Sequence, residues 1–337
     1  MAKIALGIAT SHGPMLSTLP DHWHLRAEDD KAMPVLWYRG ERYTFDQLVR
    51  LRAPEHMQTQ ITREMWHRRY AACQTALHTL RKVFADAAPD AAIIIGDDQM
   101  EIFTDYDMPA FSIYYGETIE NIPFSEEQKA AMTPGMLIAE GGHHGRDAET
   151  YSGLPALARH LIGAMIAAEF DVSAAKRLPR TAPFPTSGIP HAYGFVYRQI
   201  MNDRVVPNVP VFMNTFFPPN QPSASRCFRF GQALGRAIAS WDADKRVAVI
   251  ASGGMSHFVI DEEFDRRLFA AIANRDEKKF HSIPDSYMQS GTSEVKNWIA
   301  AAGALMDSGL EMKLVDYVPC YRSMAGTGTA QAFAYWQ

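Results

Sequence analysis

Cysteine is scarce in this chain: three residues in 337, Cys73, Cys227 and Cys320, odd in number and far apart. They make neither a disulfide framework nor a zinc-finger spacing, and a reduced, cytoplasmic setting is expected. Charge of one sign is also missing, since 33 Lys and Arg face 38 Asp and Glu for a net charge of −5. That balance argues against a dedicated nucleic-acid binder, which needs a basic face, and no like-charge block forms a polybasic membrane patch. No apolar run approaches the ~20 residues that cross a bilayer. The longest, such as Ala91–Gly96 and Val247–Ala251, are far shorter. The opening MAKIALGIATSH has one Lys and no long apolar region before a cleavage site, so no signal peptide is expected. Repeats and low-complexity tracts are absent, and no composition shift marks a domain boundary.

What is present is an alternation of short apolar runs and amphipathic segments. Lys3–Thr10, Ala91–Ile95, Ala110–Tyr115, Val209–Thr215 and Arg246–Ala251 read as buried-type strands. His56–Ala87, Leu154–Glu169, Cys227–Ala239 and most of 263–306, broken near Pro284 and Gly291, read as helices. The expected fold is α/β, with a largely parallel central sheet flanked by helices in a single catalytic domain over 1–337. Residues 13–55 and 117–150 read as long, lid-like insertions at the active-site edge, the first irregular and rich in aromatics. A Pro-rich connection is expected over 179–190.

Polar residues collect where these strands end. The first run gives Ser11-His12, the second Asp97-Asp98-Gln99, the fourth Asn214, and the last Ser256-His257. Parallel strands bring such residues to one sheet edge, where ligands bind in open α/β sheets. Histidine with carboxylate is a metal-ligand or acid–base set. His56, at the start of the helix that returns to the second strand, belongs near the same edge on this topology. His143-His144 looks like a metal pair, but adjacent residues do not face one way on regular structure, so a solvent-exposed or lid role is expected. His22 and His24 flank Trp23 in the first insertion, within reach of a substrate. Arg26, Arg39, Arg50 and Arg52 in the same insertion are candidates for gripping a substrate carboxylate.

Three motifs carry a family resemblance. Ser-His-Gly-Pro-Met follows the first strand, Ser-Gly-Gly-Met-Ser-His-Phe a later one, and Ser-Glu-Val-Lys-Asn-Trp spans Ser293–Trp298. In this order they resemble the class III extradiol ring-cleavage dioxygenases, relatives of the protocatechuate 4,5-dioxygenase β subunit. The Trp-containing insertion and Gly-Asp-Asp-Gln are most similar to the branch acting on lignin-derived rings, such as methylgallate and hydroxylated-biphenyl dioxygenases. The resemblance implies one non-haem Fe(II), with His12 and Glu294 as ligands. It implies His257 as the acid–base histidine and His191, in Pro-His-Ala-Tyr-Gly, as a second active-site histidine. Ser11, Gln99, Tyr193 and Asn214 are the expected substrate-binding residues. Substrates would be a small aromatic diol and O₂, and the chain is expected to be a homodimer without nucleic-acid or membrane partners.

The chain departs from the family at the second strand. The family's second iron histidine follows Asp there, whereas this chain reads Asp97-Asp98-Gln99. Either Asp98 or Gln99 ligates the metal, or another histidine does, for which His56 is the preferred substitute. Two other classes stay open on sequence alone. A Zn(II)- or Mn(II)-dependent hydrolase fits the Asp-rich strand end. A metal-free binding relative fits the lost histidine.

Overall fold

The computed structural model describes residues 1–104, 107–178 and 188–337. Most of the expected Pro-rich connection, 179–187, lies outside the described residues. β1 (Lys3–Thr10) opens the chain, followed by α1 (Trp23–Ala32), the hairpin of β2 (Leu36–Tyr38) and β3 (Glu41–Tyr43), and α2 (Phe45–Leu51). The stretch that reads as irregular is therefore built of short elements. Their shortness hides any period, and α1 buries a charged pair instead of an apolar stripe. Asp30 accepts two hydrogen bonds from Arg322, both at 2.7 Å, with both side chains about 1% exposed.

α3 (Arg63–Ala87) starts later than its periodicity suggests, at Thr62, whose hydroxyl accepts from the Met65 amide. Beyond it come β4 (Ala91–Asp97), β5 (Phe111–Tyr114), β6 (Thr118–Asn121), α4 (Glu126–Ala131), α5 (Pro134–Leu137) and β7 (Glu149–Ser152). α6 (Pro155–Ala167), β8 (Ser173–Ala175), α7 (His191–Phe195), β9 (Asn208–Met213) and α8 (Ala224–Ser240) come next. The last third holds β10 (Arg246–Ser252), β11 (His257–Val259), α9 (Glu262–Ala273), α10 (Glu277–Ser282), α11 (Val295–Leu305), β12 (Met312–Tyr321) and β13 (Thr327–Trp336).

Among the described residues the main sheet has nine strands in the order β11-β13-β1-β10-β4-β9-β5-β8, with β12 on β13. Its centre, β1, β10, β4 and β9, is parallel, while β13 and β5 flank it antiparallel. Every residue of β4 and β9 is buried. This is why they read as continuous apolar runs: a parallel sheet covered on both faces needs apolar side chains on both. Ile93 and Ile95 pack into one core with α6, α8 and α11, and Ala92 and Ile94 into the other, with α3 and α7. The register pairs Thr10 with Ser252, Ala251 with Ile95 and Asp97 with Met213. The carboxyl ends of the central strands are therefore level, and the residues just beyond them meet at one edge.

Two glycine contacts set where α11 sits. A Cβ on Gly231 would lie 1.9 Å from the Ala300 carbonyl, and one on Gly235 2.3 Å from that of Ala304. α8 and α11 thus approach backbone to backbone, a distance no larger residue allows.

Candidate metal centre

His12, two residues past the end of β1 and directly after Ser11, is 6% exposed. Its Nδ1 lies 3.0 Å from the Ser252 Oγ. That hydroxyl gives its one hydrogen to the Ala192 carbonyl at 2.7 Å, so toward His12 it accepts. The proton therefore sits on Nδ1, and Nε2 presents a bare lone pair to the edge. Burial pushes the His12 pKa down to about 4, against the pull of Glu294, so the ring is neutral at pH 7. This is the tautomer and charge state of a metal ligand.

Glu294 ends the turn that leads into α11. The turn is anchored by Trp298, whose Nε1 donates to the Gly253 carbonyl at 2.8 Å. The Glu294 Oε2 accepts from the Gly254 amide at 2.7 Å and stands 3.4 Å from the His12 Nε2. Asp97, the last residue of β4, is fully buried. Its Oδ1 accepts from Asn297 at 2.9 Å and its Oδ2 from Gln99 at 2.8 Å. Ligand atoms of His12, Asp97 and Glu294 lie within 4.8 Å of one another. Burial and the neighbouring Glu294 charge push the Asp97 carboxyl up to about 7. Burial opposes ionisation of Glu294 too, but His257 and His12 outweigh it and hold that carboxyl well below its usual range.

Two further imidazoles border this group. His257 donates from Nδ1 to the Met255 carbonyl at 2.7 Å and faces the Glu294 Oε1 with Nε2 at 3.2 Å. An acceptor faces each of its ring nitrogens. Its pKa is raised because Glu294 outweighs burial. It fits between two glycines: a Cβ on Gly254 would come within 2.7 Å of the ring, and one on Gly291 within 2.2 Å. His191, at the start of α7, stands edge-on to His12 with ring centroids 4.7 Å apart. Its Nδ1 and backbone N–H both bond to Glu101. That carboxylate outweighs burial and lifts the His191 pKa to about 9.

The structure thus brings together His12, Glu294, His257 and His191. It does not bring His56 to this edge: that residue is exposed, in a left-handed turn between two short 3₁₀ turns. Asp98 is buried but points into its own turn, accepting from the amides of Glu101, Ile102 and Phe103 at 2.9–3.0 Å. Asp97 stands where His56 or Asp98 was expected, because β4 stops at Asp97 and Asp98 already belongs to the following turn, whose amides it caps. Of the expected substrate contacts, only Gln99 touches the cluster. The Ser11 hydroxyl accepts from the Ala332 amide, Tyr193 donates to the Gly96 and Val211 carbonyls, and Asn214 closes a turn on Phe217.

The insertion's cations are mostly engaged elsewhere. Arg39 is bidentate on Asp261, Arg52 on Glu55, and Arg26 pairs with Asp29, while Arg50, His22 and His24 are exposed. Sequence reasoning missed Glu101, Asn297 and Ser252. Glu101 had a signal, two residues beyond Gln99 in the same strand-end turn. The other two act through neighbours and lay inside the quoted motifs, Ser252 opening Ser-Gly-Gly-Met-Ser-His-Phe and Asn297 within Ser293–Trp298.

A family model described as the catalytic LigB subunit of aromatic ring-opening dioxygenase matches residues 62–333. That span holds Asp97, His191, His257 and Glu294 and starts after His12 and His56. The chain is 30% identical over 205 residues to a gallate dioxygenase of Pseudomonas putida, covering 57% of this chain and 56% of that one. It is 29% identical over 188 residues to a 2,3-dihydroxyphenylpropionate/2,3-dihydroxicinnamic acid 1,2-dioxygenase of Rhodococcus sp, covering 55% and 49%. A protein of the same description from Rhodococcus jostii is 28% identical over 184 residues, covering 54% and 48%. The chain spans about half the length of the curated relatives it matches.

Proposed function

The chain belongs to the family of catalytic LigB subunits of aromatic ring-opening dioxygenases, and from that premise we propose that it is an extradiol dioxygenase. It opens a small vicinal-diol aromatic ring with O₂, in the catabolism of lignin-derived or related aromatics. The observation that carries the reading is the buried convergence of a bare His12 Nε2 and two crowded carboxylates, Asp97 and Glu294. Names of the relatives, gallate and dihydroxyphenylpropionate dioxygenases, support the substrate class. No helix of the described residues is long and apolar enough to cross a membrane. A cytoplasmic homodimer completes the proposal.

The donor set fits a divalent cation. Two carboxylates forced together in a dry site repel, as the raised Asp97 pKa records, and a cation relieves that repulsion. We assign iron(II), held by His12, Asp97 and Glu294. Bound there it supplies open positions for the ring diol and for O₂.

The rest of the work falls to side chains. His257 receives a phenolic proton at Nε2 as the diol ionises, its Nδ1–H staying on the Met255 carbonyl. This requires Nε2 to be free of its proton when the diol arrives, and the Glu294 carboxylate that favours that proton to be engaged elsewhere. His191, kept protonated by Glu101, donates to the oxygen that leaves as the ring opens. Burial of His12, Asp97 and Glu294 excludes bulk water from the reacting atoms.

The test is oxygen consumption by anaerobically iron(II)-loaded protein against catechols, gallates and hydroxylated biphenyls. The proposal expects uptake of one O₂ per ring, with an absorbing ring-opened product lost in Glu294→Ala. Iron-loaded protein that binds these rings and consumes no O₂ would overturn it.

A further inference from the structure

His143 and His144, in the loop between α5 and β7, are not the exposed pair their sequence suggests. His144 is 2% exposed, and neither of its ring nitrogens has a hydrogen-bond partner among the described residues. The Nε2 of His143 is likewise buried without a partner. A buried polar atom left unpaired costs about 1–3 kcal/mol, so three together in one loop are a feature that folding alone does not reward. The loop is held in place: Asn121 donates to the His143 carbonyl at 3.0 Å, and Gly194 packs so closely that a Cβ there would sit 2.3 Å from that oxygen.

The rings run outward from the metal centre. His12 and His191 centroids are 4.7 Å apart, His191 and His143 5.9 Å, and His143 and His144 4.4 Å. Phe124 stands edge-on behind His144 at 4.7 Å. Ring-to-ring contacts thus join the pair to the metal centre through His191, so a substituted ring bound at the cluster has the pair as a neighbour.

We propose that His143 and His144 are specificity-determining residues that hydrogen-bond an uncharged hydroxyl carried by the substrate beyond its reacting diol. The inference rests on the ring-opening reading above. The chemistry of the pair selects the substituent. Burial keeps both rings neutral, His144 down to about 4, so each offers a donor and an acceptor. A hydroxyl also donates and accepts, and satisfies both kinds of nitrogen. A carboxylate only accepts. It would also add negative charge beside Glu101, while the nearby Arg198 already bonds Asp203 and the Gly141 carbonyl. A site whose buried polar groups need a partner rejects the analogue that lacks it.

The test compares catechol with 1,2,3-trihydroxybenzene, titrated under argon into iron(II)-loaded wild type, His144→Leu and His144→Gln. One net hydrogen bond predicts about tenfold tighter binding of the triol to wild type. His144→Leu should lose that ratio with catechol binding unchanged, and His144→Gln, which keeps a donor and an acceptor, should retain most of it. Without any ring present, His144→Leu should melt at a higher temperature than wild type, because it removes unpaired polar atoms. An equal triol-to-catechol ratio in wild type and His144→Leu overturns the assignment, as does a lowered melting temperature in His144→Leu, the mark of a structural histidine. Failure of both rings to bind wild type overturns the ring-opening reading and this inference with it.

Discussion

Protonation at single residues decides what this edge can do. His12 is neutral above about pH 4, so its proton does not compete with a cation. Asp97 does compete: its carboxyl, raised to about 7, must lose its proton to ligate. Metal affinity should therefore climb up to ~tenfold per pH unit below about pH 7 and level off above it. A competition titration of wild type checks this, and Asp97→Asn should flatten the curve at a low affinity. The Glu101–His191 pair acts on stability. The folded-state pKa of His191 is raised above the unfolded value near 6.5, so its contribution is complete below that value and is lost as pH rises through about 9. Urea unfolding should find Glu101→Gln less stable by about 3 kcal/mol near pH 6, with the gap narrowing as pH rises from about 6.5 and closed above about 9. That His12, His257, His191 and Glu294 meet at one edge was legible in the sequence because each sits in a motif at an element's end. That Asp97 and not Asp98 faces this edge was not, since which of two neighbours does so depends on where the strand stops.

Elements carry the site through their packing. The close crossing of α8 and α11 fixes the turn that bears Glu294. Gly231→Ala should force the helices apart, costing roughly 1–3 kcal/mol of stability. Because the displaced helix carries Glu294, it should also weaken metal binding, which a denaturation series paired with metal titration reads directly. The long apolar runs of β4, β9 and β10 and the helix of α8 were legible, since burial on both faces or one leaves a clear pattern. The C-terminal hairpin β12–β13 was not anticipated: β13 is lined with Gly, Ala and Thr where large alternating residues would have announced a strand. The short helices of the first insertion were hidden for another reason, since α1 turns Arg26 and Asp30 inward.

At the scale of the molecule, the proposed metal centre draws its ligands from distant parts of the chain. His12 lies just past the first strand, Asp97 ends β4 and Glu294 precedes α11, so an ion bound to all three stabilises the sheet edge as a unit. By linkage, metal at a hundred times its dissociation constant adds about 2.7 kcal/mol. Chelation should then lower the melting temperature by roughly 4 °C, scaled from the entropy of unfolding a chain this size. Calorimetry with and without chelator tests it. The α/β architecture was legible because strands and helices alternate along most of the chain. The set of ligands needed the parallel register, which levels the strand ends.

The most direct test of the account is the metal content of anaerobically iron-loaded wild type, Asp97→Ala and His56→Ala, measured after desalting. The account predicts one iron per chain in wild type and in His56→Ala, and almost none in Asp97→Ala. Iron retained in Asp97→Ala and lost in His56→Ala would contradict it.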